Sequence, residues 1–446
     1  MGYCCLGIIY KKLVVLVDIR FDQNCMTLGR KQGLLVLCLV YITVLVPFLP
    51  KNNNSNDSHD HVTYHMPTIQ RIMQHFPRVD LKEDPQSAVS PGYNYFLAGL
   101  SVGTSLGETG LRVAHVLISF LLPAYLYRKA SEKLVPSHAL LLVLPLVLSP
   151  YFLKAAAWIV TDNPALLGMS FILAGTLGCR GSGGRWLLPF VSALTVWVRQ
   201  MYIWLILPQA VLIVMDPASG TYIQKLGRVF LSSLPALLVL GWLVYSWQGL
   251  VPPRWHEASL AWSMSATLYS LALMTWILAP AAFLCGIPVK GFERGIIITS
   301  GMLGVLLAVS VRSDFSMEEG RWGGLLWDLA RRAPVFNGRS LIFLILVPVG
   351  GILLSLVVLG LWRRHRLHGF IWFFSLFCWL ASFLPNRQVF HRYFEPSLYI
   401  FALFAVVLIV GGTAITGKMK DWRWIQGGVA GLQIAALTVL YMRYYP

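Results

Sequence analysis

Apolar residues in this chain come as a succession of continuous runs, many reaching or approaching the ~20 residues a helix needs to cross the hydrocarbon layer of a bilayer. Lipid offers no partners to backbone N–H and C=O groups, so a segment lying in it must be a helix or part of a closed barrel. The runs are continuous and not alternating, which selects helices. Only 12% of the 446 residues are charged, too few to cover a water-facing surface. Spans are expected at about 33–50, 111–127, 136–153, 163–179, 186–198, 201–215, 229–248, 266–287, 295–311, 340–361, 369–384, 396–413 and 424–442. The expected fold is therefore all-α, a polytopic transmembrane helix bundle of about 12–13 spans. It forms a single domain over 33–446 behind a cytoplasmic N-terminal segment, 1–32.

The formal net charge of +17 would suggest nucleic acid in a soluble protein. Here the basic residues fall in short connections between apolar runs, the pattern that sets membrane orientation, and no nucleic-acid partner is expected. Cys4, Cys5, Cys25, Cys38, Cys179, Cys285 and Cys378 show no paired metal-ligand spacing, and most lie in or beside apolar runs, so neither a disulfide framework nor a zinc site is expected. No cleavable signal peptide is evident, which leaves the first span as an anchor. Met26, followed by Arg30 and Lys31 and then a clean span, is an alternative start of translation.

Orientation turns on residues 186–215, which read either as one long helix or as two short ones broken at Arg199-Gln200. With the break, Arg128/Lys129/Lys133, Arg180/Arg185, Lys225/Arg228, Lys290/Arg294, Arg363/Arg364/Arg366 and Lys418/Lys420/Arg423 all fall on one side. Without it, the cluster at 363–366 lands outside. The positive-inside rule selects the broken form. The opposite, non-cytoplasmic face then receives a first large loop, 51–110, and 154–162, Arg199-Gln200, 249–265, a second large loop, 312–339, and 385–395. The first loop opens on a polar tract carrying sequons at Asn53 and Asn56. It continues as an amphipathic helix with Met66, Ile69, Ile72 and Met73 on one face.

Well over half of the 19 acidic residues belong to that face. Asp162, in Thr161-Asp162-Asn163-Pro164, lies in a tight turn near membrane depth, where an ionisable group is costly and more often functional. It would also serve as a helix cap with Pro164 in the first turn. Arg199, Arg387 and Arg392 sit at the mouths of apolar segments. A guanidinium presents a fork of donors suited to phosphate; the plainer role is snorkelling to the interface. His65 is flanked by His59, His61 and His75, but the spacing matches no standard metal site. Acids and arginines gathered beside lipid suit a sugar carried on a lipid phosphate. A carboxylate takes the proton of the attacking hydroxyl, and a cation receives the charged leaving group.

These positions carry a resemblance. Tyr64-His65-Met66-Pro67 followed by Gln70-Arg71 resembles the Phe-His-x-Pro-x-x-Gln-Arg motif of the dolichyl-phosphate-glucose-dependent α-1,2-glucosyltransferases, polytopic enzymes of the GT-C class. Asp84-Pro85, five residues, then Pro91-Gly92-Tyr93 is similar to a second motif. Thr161-Asp162, Arg199-Gln200 and Arg392-Tyr393-Phe394 resemble a third, fourth and fifth. Order and spacing are kept over about 330 residues. The family's Asp-Glu pair before its His aligns with His61-Val62, and the nearest acid, Asp60, is one residue upstream. Glu83 stands in place of a Trp, Met201-Tyr202 replaces Thr-Asn, and an additional span follows Arg392-Tyr393-Phe394.

The resemblance implies an inverting transferase that moves a hexose, glucose first among candidates, from a polyprenyl- or dolichyl-phosphate donor to a lipid-linked or cell-envelope glycan acceptor. It needs no cofactor and no metal. Asp60 is the expected base, with Asp57 and Asp162 in reserve. Arg392, with Arg199 or Arg387, is expected at the phosphate. His65, Gln70, Arg71, Asp84, Pro91, Gly92, Gln200 and Tyr393 are expected around the substrate. The expected location is a bacterial inner membrane or the endoplasmic reticulum membrane, with the active face non-cytoplasmic. A transporter or flippase of lipid-linked saccharides, a scaffold in a membrane complex, and a mannosyl- or aminosugar-transferase remain as alternatives.

Overall fold

The computed structural model describes residues 29–49, 56–178, 186–216, 220–256, 262–286, 291–386, 388–411 and 416–444. About four fifths of them are helical. The chain runs through α1 (Arg30–Leu45), α2 (Asn56–Asp60), a π turn (His61–His65), α3 (Met66–His75), α4 (Gly92–Thr104), α5 (Glu108–Ser131), α6 (Pro136–Val147), α7 (Pro150–Ala157) and α8 (Asp162–Thr176). It continues through α9 (Leu188–Val198), a 3₁₀ stretch (Gln200–Leu205), α10 (Ile206–Met215), α11 (Tyr222–Trp247), α12 (Ser265–Ile277), α13 (Ala279–Cys285), α14 (Gly291–Ser310) and α15 (Leu325–Arg332). A two-stranded hairpin (Val335–Phe336 with Arg339–Ser340) precedes α16 (Leu341–Arg364), α17 (Arg366–Ala381), α18 (His391–Val410) and α19 (Thr416–Tyr444).

Among the described residues, six helices are long and apolar enough to cross a membrane, and up to eight if each of two bent pairs counts as one span. That is fewer than the thirteen runs read from the sequence. The run at 136–153 is not one straight span: α6 ends at Val147 and α7 leaves at 72°. Ser149 starts the new helix by accepting the Phe152 amide on its side chain, with Pro150 in the first turn, where its missing N–H costs nothing. The run at 266–287 bends by 62° between α12 and α13, with Pro280 in the first turn of α13. The apolar helices α9 and α17 and the stretch 200–215 are shorter than a full crossing requires.

The bundle closes around α18, which is apolar all round beyond its polar first two turns and is the most deeply enclosed of the candidate spans. Helices α11 and α14 are its opposite. Leu231, Leu238, Met302 and Leu306 stand largely exposed on them, as lipid-facing positions do. Where helices meet, small residues admit the neighbouring backbone: a Cβ on Gly350 would overlap the Leu271 carbonyl oxygen.

Residues 188–215 double back. The start of α9 (Trp186, Leu188, Pro189) and the end of α10 (Gln209, Leu212, Ile213, Asp216) line one cavity of about 620 Å³ with Arg228, Leu231 and Ser232 of α11. Gln209 also bonds the Ser192 hydroxyl across the two arms. The reversal happens at Arg199, whose extended backbone (φ −157°, ψ 106°) stops α9. The segments on the reversal side come together at one end of the bundle. Gln200 accepts the Ser90 amide at 2.8 Å and donates to the Ala88 carbonyl at 2.8 Å. Trp247 bonds the Leu81 carbonyl, the Leu325 amide bonds the Tyr151 hydroxyl, and the Val389 amide bonds the Gly320 carbonyl.

Gly92 is required for this closure. A Cβ there would lie 2.3 Å from the Trp197 carbonyl oxygen, so α4 reaches α9 only without a side chain. Gly92→Ala is expected to cost about 1–3 kcal/mol through forced displacement of that backbone. Gly103→Ala, in the same helix with nothing within 4 Å of the added carbon, should be neutral or stabilising. Thermal melts of the two purified variants check the contrast.

Candidate functional site

The first turn of α18 carries Arg392, and two carboxylates meet it from α2, more than 330 positions earlier in the chain. Asp57 and Asp60 are three apart on one helix and so share a face. Nη1 of Arg392 donates to Asp57 Oδ1 at 3.0 Å, and Nη2 donates to Asp60 Oδ2 at 2.5 Å and to the Tyr393 hydroxyl at 3.2 Å. The two acids differ in access: the side chain of Asp57 is 5% exposed and that of Asp60 21%.

A second pair lies alongside. Arg199, freed by the break after α9, donates through Nη1 to Asp162 at the start of α8, and both side chains are buried. Its guanidinium carbon stands 4.8 Å from the centre of the Tyr393 ring, and that of Arg392 stands 5.1 Å from the same centre. Tyr393 thus holds both cations on one aromatic surface. In each arginine the Nε–H is buried and meets no partner among the described residues. Lys154 of α7, also buried, acts electrostatically on Asp57. Three carboxylates are therefore balanced by two guanidiniums and one ammonium. Burial raises the Asp57 carboxyl above its ordinary value; Arg392 opposes this, and Asp60 and Asp162 add to it.

His65 closes the π turn and is buried, with Nδ1 3.2 Å from Asn94 Oδ1 of α4. Burial holds its imidazole below the ordinary value, so it is neutral at pH 7, and Asp60, Asp162 and Arg392 are the charges that act on it. A π turn takes in one more residue than an α turn, which brings Asp60 and His65 to opposite ends of one short segment.

The remaining expected residues frame the site. Asp84 is buried and accepts from the Tyr95 hydroxyl at 2.6 Å, the His75 ring at 2.9 Å and the Asp80 amide at 3.2 Å, which folds the loop after α3. Pro91 caps α4, Gly92 meets Trp197, and Gln200 clamps residues 88–90. Gln70 and Arg71 are exposed on α3, where Arg71 bonds the Glu83 carbonyl. The geometry gives Asp84, Gln200 and Arg71 bonds to the protein's own loop. Arg387, Asn53 and Glu257 lie outside the described residues. Lys154 and Asn94 were not singled out from the sequence, because each is a lone polar residue inside or beside an apolar helix. A second buried network also went unread: His391 stacks on Tyr151 at 4.1 Å, receives the Tyr269 hydroxyl at 2.7 Å and bonds Glu395, which Gln433 also bonds. Among the described residues, no group of three or more His, Cys, Asp and Glu is placed to hold a metal ion.

No family model, no curated protein and no solved structure matches this chain.

His61 follows directly on the helix that brings Asp57 and Asp60 to Arg392. His61 is fully buried against Trp158, and burial pushes its imidazole down to about 4 against a partial lift from Glu108. The folded state holds the neutral ring, while the unfolded chain binds a proton below 6.5. The stability His61 allows is therefore complete above pH 6.5 and is lost as pH falls toward 4. Hydrogen-exchange protection factors of residues 56–75, which are corrected for the slower intrinsic exchange at low pH, should fall between pH 7 and pH 5, and His61→Phe, neutral throughout, should reduce that dependence.

Proposed function

We propose that this protein is an inverting glycosyltransferase of the GT-C class. It moves a hexose, glucose first, from a polyprenyl- or dolichyl-phosphate donor to a lipid-linked or cell-envelope glycan acceptor on the non-cytoplasmic face of a membrane. The observation that carries the reading is the pair of buried arginines on Tyr393, each with an unspent Nε–H, beside carboxylates of unequal exposure. A buried donor without a partner is costly, and a phosphate at the bundle edge supplies what Arg392 and Arg199 lack.

The roles follow from access. Asp57, the more buried acid, holds Arg392 in place. Asp60, the more accessible, accepts the proton of the acceptor hydroxyl as its oxygen attacks the anomeric carbon. The bond from that carbon to the phosphate oxygen breaks on the opposite side, and the electron pair leaves with the lipid phosphate, whose added charge Arg392 and Arg199 neutralise. Attack opposite to departure inverts the anomeric configuration. The fold reading is a GT-C bundle with up to 12–13 membrane-crossing or membrane-embedded segments.

Transport of lipid-linked saccharides is the rival reading, and the two bent helix pairs favour it, since transporters build sites on broken helices. A transfer assay separates the two. Purified protein is given polyprenyl-phosphate glucose and mixed glycolipid acceptors, and products are read by mass spectrometry. The expected result is a gain of one hexose, a loss of at least ~100-fold in kcat for Asp60→Asn with its melting temperature kept, and weaker donor binding for Arg392→Lys. Full transfer by Asp60→Asn would overturn the assignment of the base, and movement of lipid without a new glycosidic bond would overturn the enzyme.

A further inference from the structure

The cavity of about 620 Å³ between α9, α10 and α11 takes no part in the chemistry proposed above. It lies at the feet of the hairpin whose tip is Arg199. The 11 residues of α9 separate the two, roughly 16 Å along the helix axis. Its size falls within the ~300–1,000 Å³ of small-molecule sites. What it can hold follows from its wall. Leu188, Pro189, Leu212 and Ile213 make that wall apolar. Its polar donors are already used: Nδ-free Gln209 gives both amide N–H groups to Ser192 Oγ and the Leu205 carbonyl, and the Ser232 hydroxyl donates to the Val229 carbonyl at 3.0 Å. A sugar or nucleotide there would lose hydration without replacement. An alkyl chain has no such loss. Trp186 and Leu231 at the rim are 67% and 65% exposed, and α11 is a candidate membrane span, so the cavity opens toward lipid.

The rim adds a charge. Arg228 lines the cavity, stands exposed, and is the last charged residue before the uncharged stretch 229–253. That places its guanidinium at the depth of lipid headgroups. It makes no ion pair or hydrogen bond among the described residues. Lys225, one turn earlier, donates to the Val214 carbonyl at 2.8 Å and ties α11 to α10 beside it. Asp216 also lines the wall, so two cations face one carboxylate and the mouth is net positive. We propose that this cavity binds one anionic phospholipid. Its phosphate lies at Arg228, with Lys225 adding to the attraction, and one acyl chain fills the cleft between the hairpin and α11. The donor of the proposed reaction has its phosphate with Arg392 and Arg199, at the far end of α9. The phospholipid is therefore a second lipid, and the inference stands without the reaction. Because the hairpin carries Arg199 at its tip, the bound lipid also braces the reversal.

The test uses the full chain, purified in detergent and stripped of lipid. Phosphatidylglycerol, phosphatidylcholine and polyprenyl phosphate are offered separately, and retention is read by native mass spectrometry. The wild-type protein should hold one phosphatidylglycerol, several-fold better than phosphatidylcholine, and its melting temperature should rise with that lipid. Arg228→Gln should weaken retention about 5-fold, the share of one basic residue at an anionic lipid surface. Arg294→Gln, the same charge change at the exposed start of α14 and outside the cavity, should bind as the wild type does. Ser232→Trp, which fills the cleft, should abolish retention and the rise in melting temperature. If Ser232→Trp fails to melt cooperatively without lipid, the comparison of Arg228→Gln with Arg294→Gln decides. Equal retention by those two variants, or no preference for phosphatidylglycerol over phosphatidylcholine, would overturn the inference. Retention of polyprenyl phosphate and not phosphatidylglycerol would also overturn it, and would give the cavity to the tail of a donor.

Discussion

Arg392 holds this end of the molecule together. Its guanidinium binds Asp57 and Asp60 of the first large loop, and it projects from the first turn of the most enclosed helix of the bundle. Desolvating such a group costs several kcal/mol, and removing one partner of a buried pair costs about 3–5 kcal/mol. Two guanidiniums stand on the Tyr393 ring and bind three carboxylates, a cluster that apolar residues of the same volume could often replace at no cost in stability. The same side chains that fix the loop also leave buried Nε–H groups unsatisfied, and this is where stability and the proposed chemistry meet.

The second constraint is the reversal at Arg199. The extended backbone there ends α9 and sends successive side chains to different partners, Arg199 to Asp162 and Gln200 to residues 88–90. One dipeptide thereby ties the ion-pair cluster to the loop that carries Pro91 and Gly92. The second loop is drawn in from the other side by backbone bonds to Val389 and His391, and Gly324 lets it approach because a Cβ there would overlap the His391 side chain. The start of α18 is therefore a junction for both loops.

Much of this was legible in the sequence. Continuous apolar runs announced helices in lipid, and the basic connections predicted a break at 199–200, where the backbone does reverse. Asp57, Asp60, Asp162, Arg199, Arg392 and Tyr393 were read separately, and the fold brings them into one cluster. The number of crossings was less legible, because hydropathy does not register direction: Ser149-Pro150 and the step before Pro280 turn the chain inside apolar runs. Lys154, Asn94 and the His391–Glu395 network were hidden for a related reason. Asn94 meets His65 of another segment, Lys154 acts on Asp57, and His391, although four residues from Glu395, takes Tyr151 and Tyr269 from distant helices. Asp84 and Gln200 were read as substrate residues, and the structure shows their polar atoms bonded to the loop that frames the site.

The most direct test of the Arg392 clamp is a double-mutant cycle on the unfolding free energy of the purified protein, comparing Asp57→Asn, Arg392→Gln and the double variant. If Arg392 gathers the first loop as described, the two changes are coupled by at least about 1 kcal/mol, because each single variant leaves a buried polar group without its partner. Effects that simply add, within about 0.5 kcal/mol, would mean that the loop is held by other contacts and that the cluster around Tyr393 does not exist as a unit.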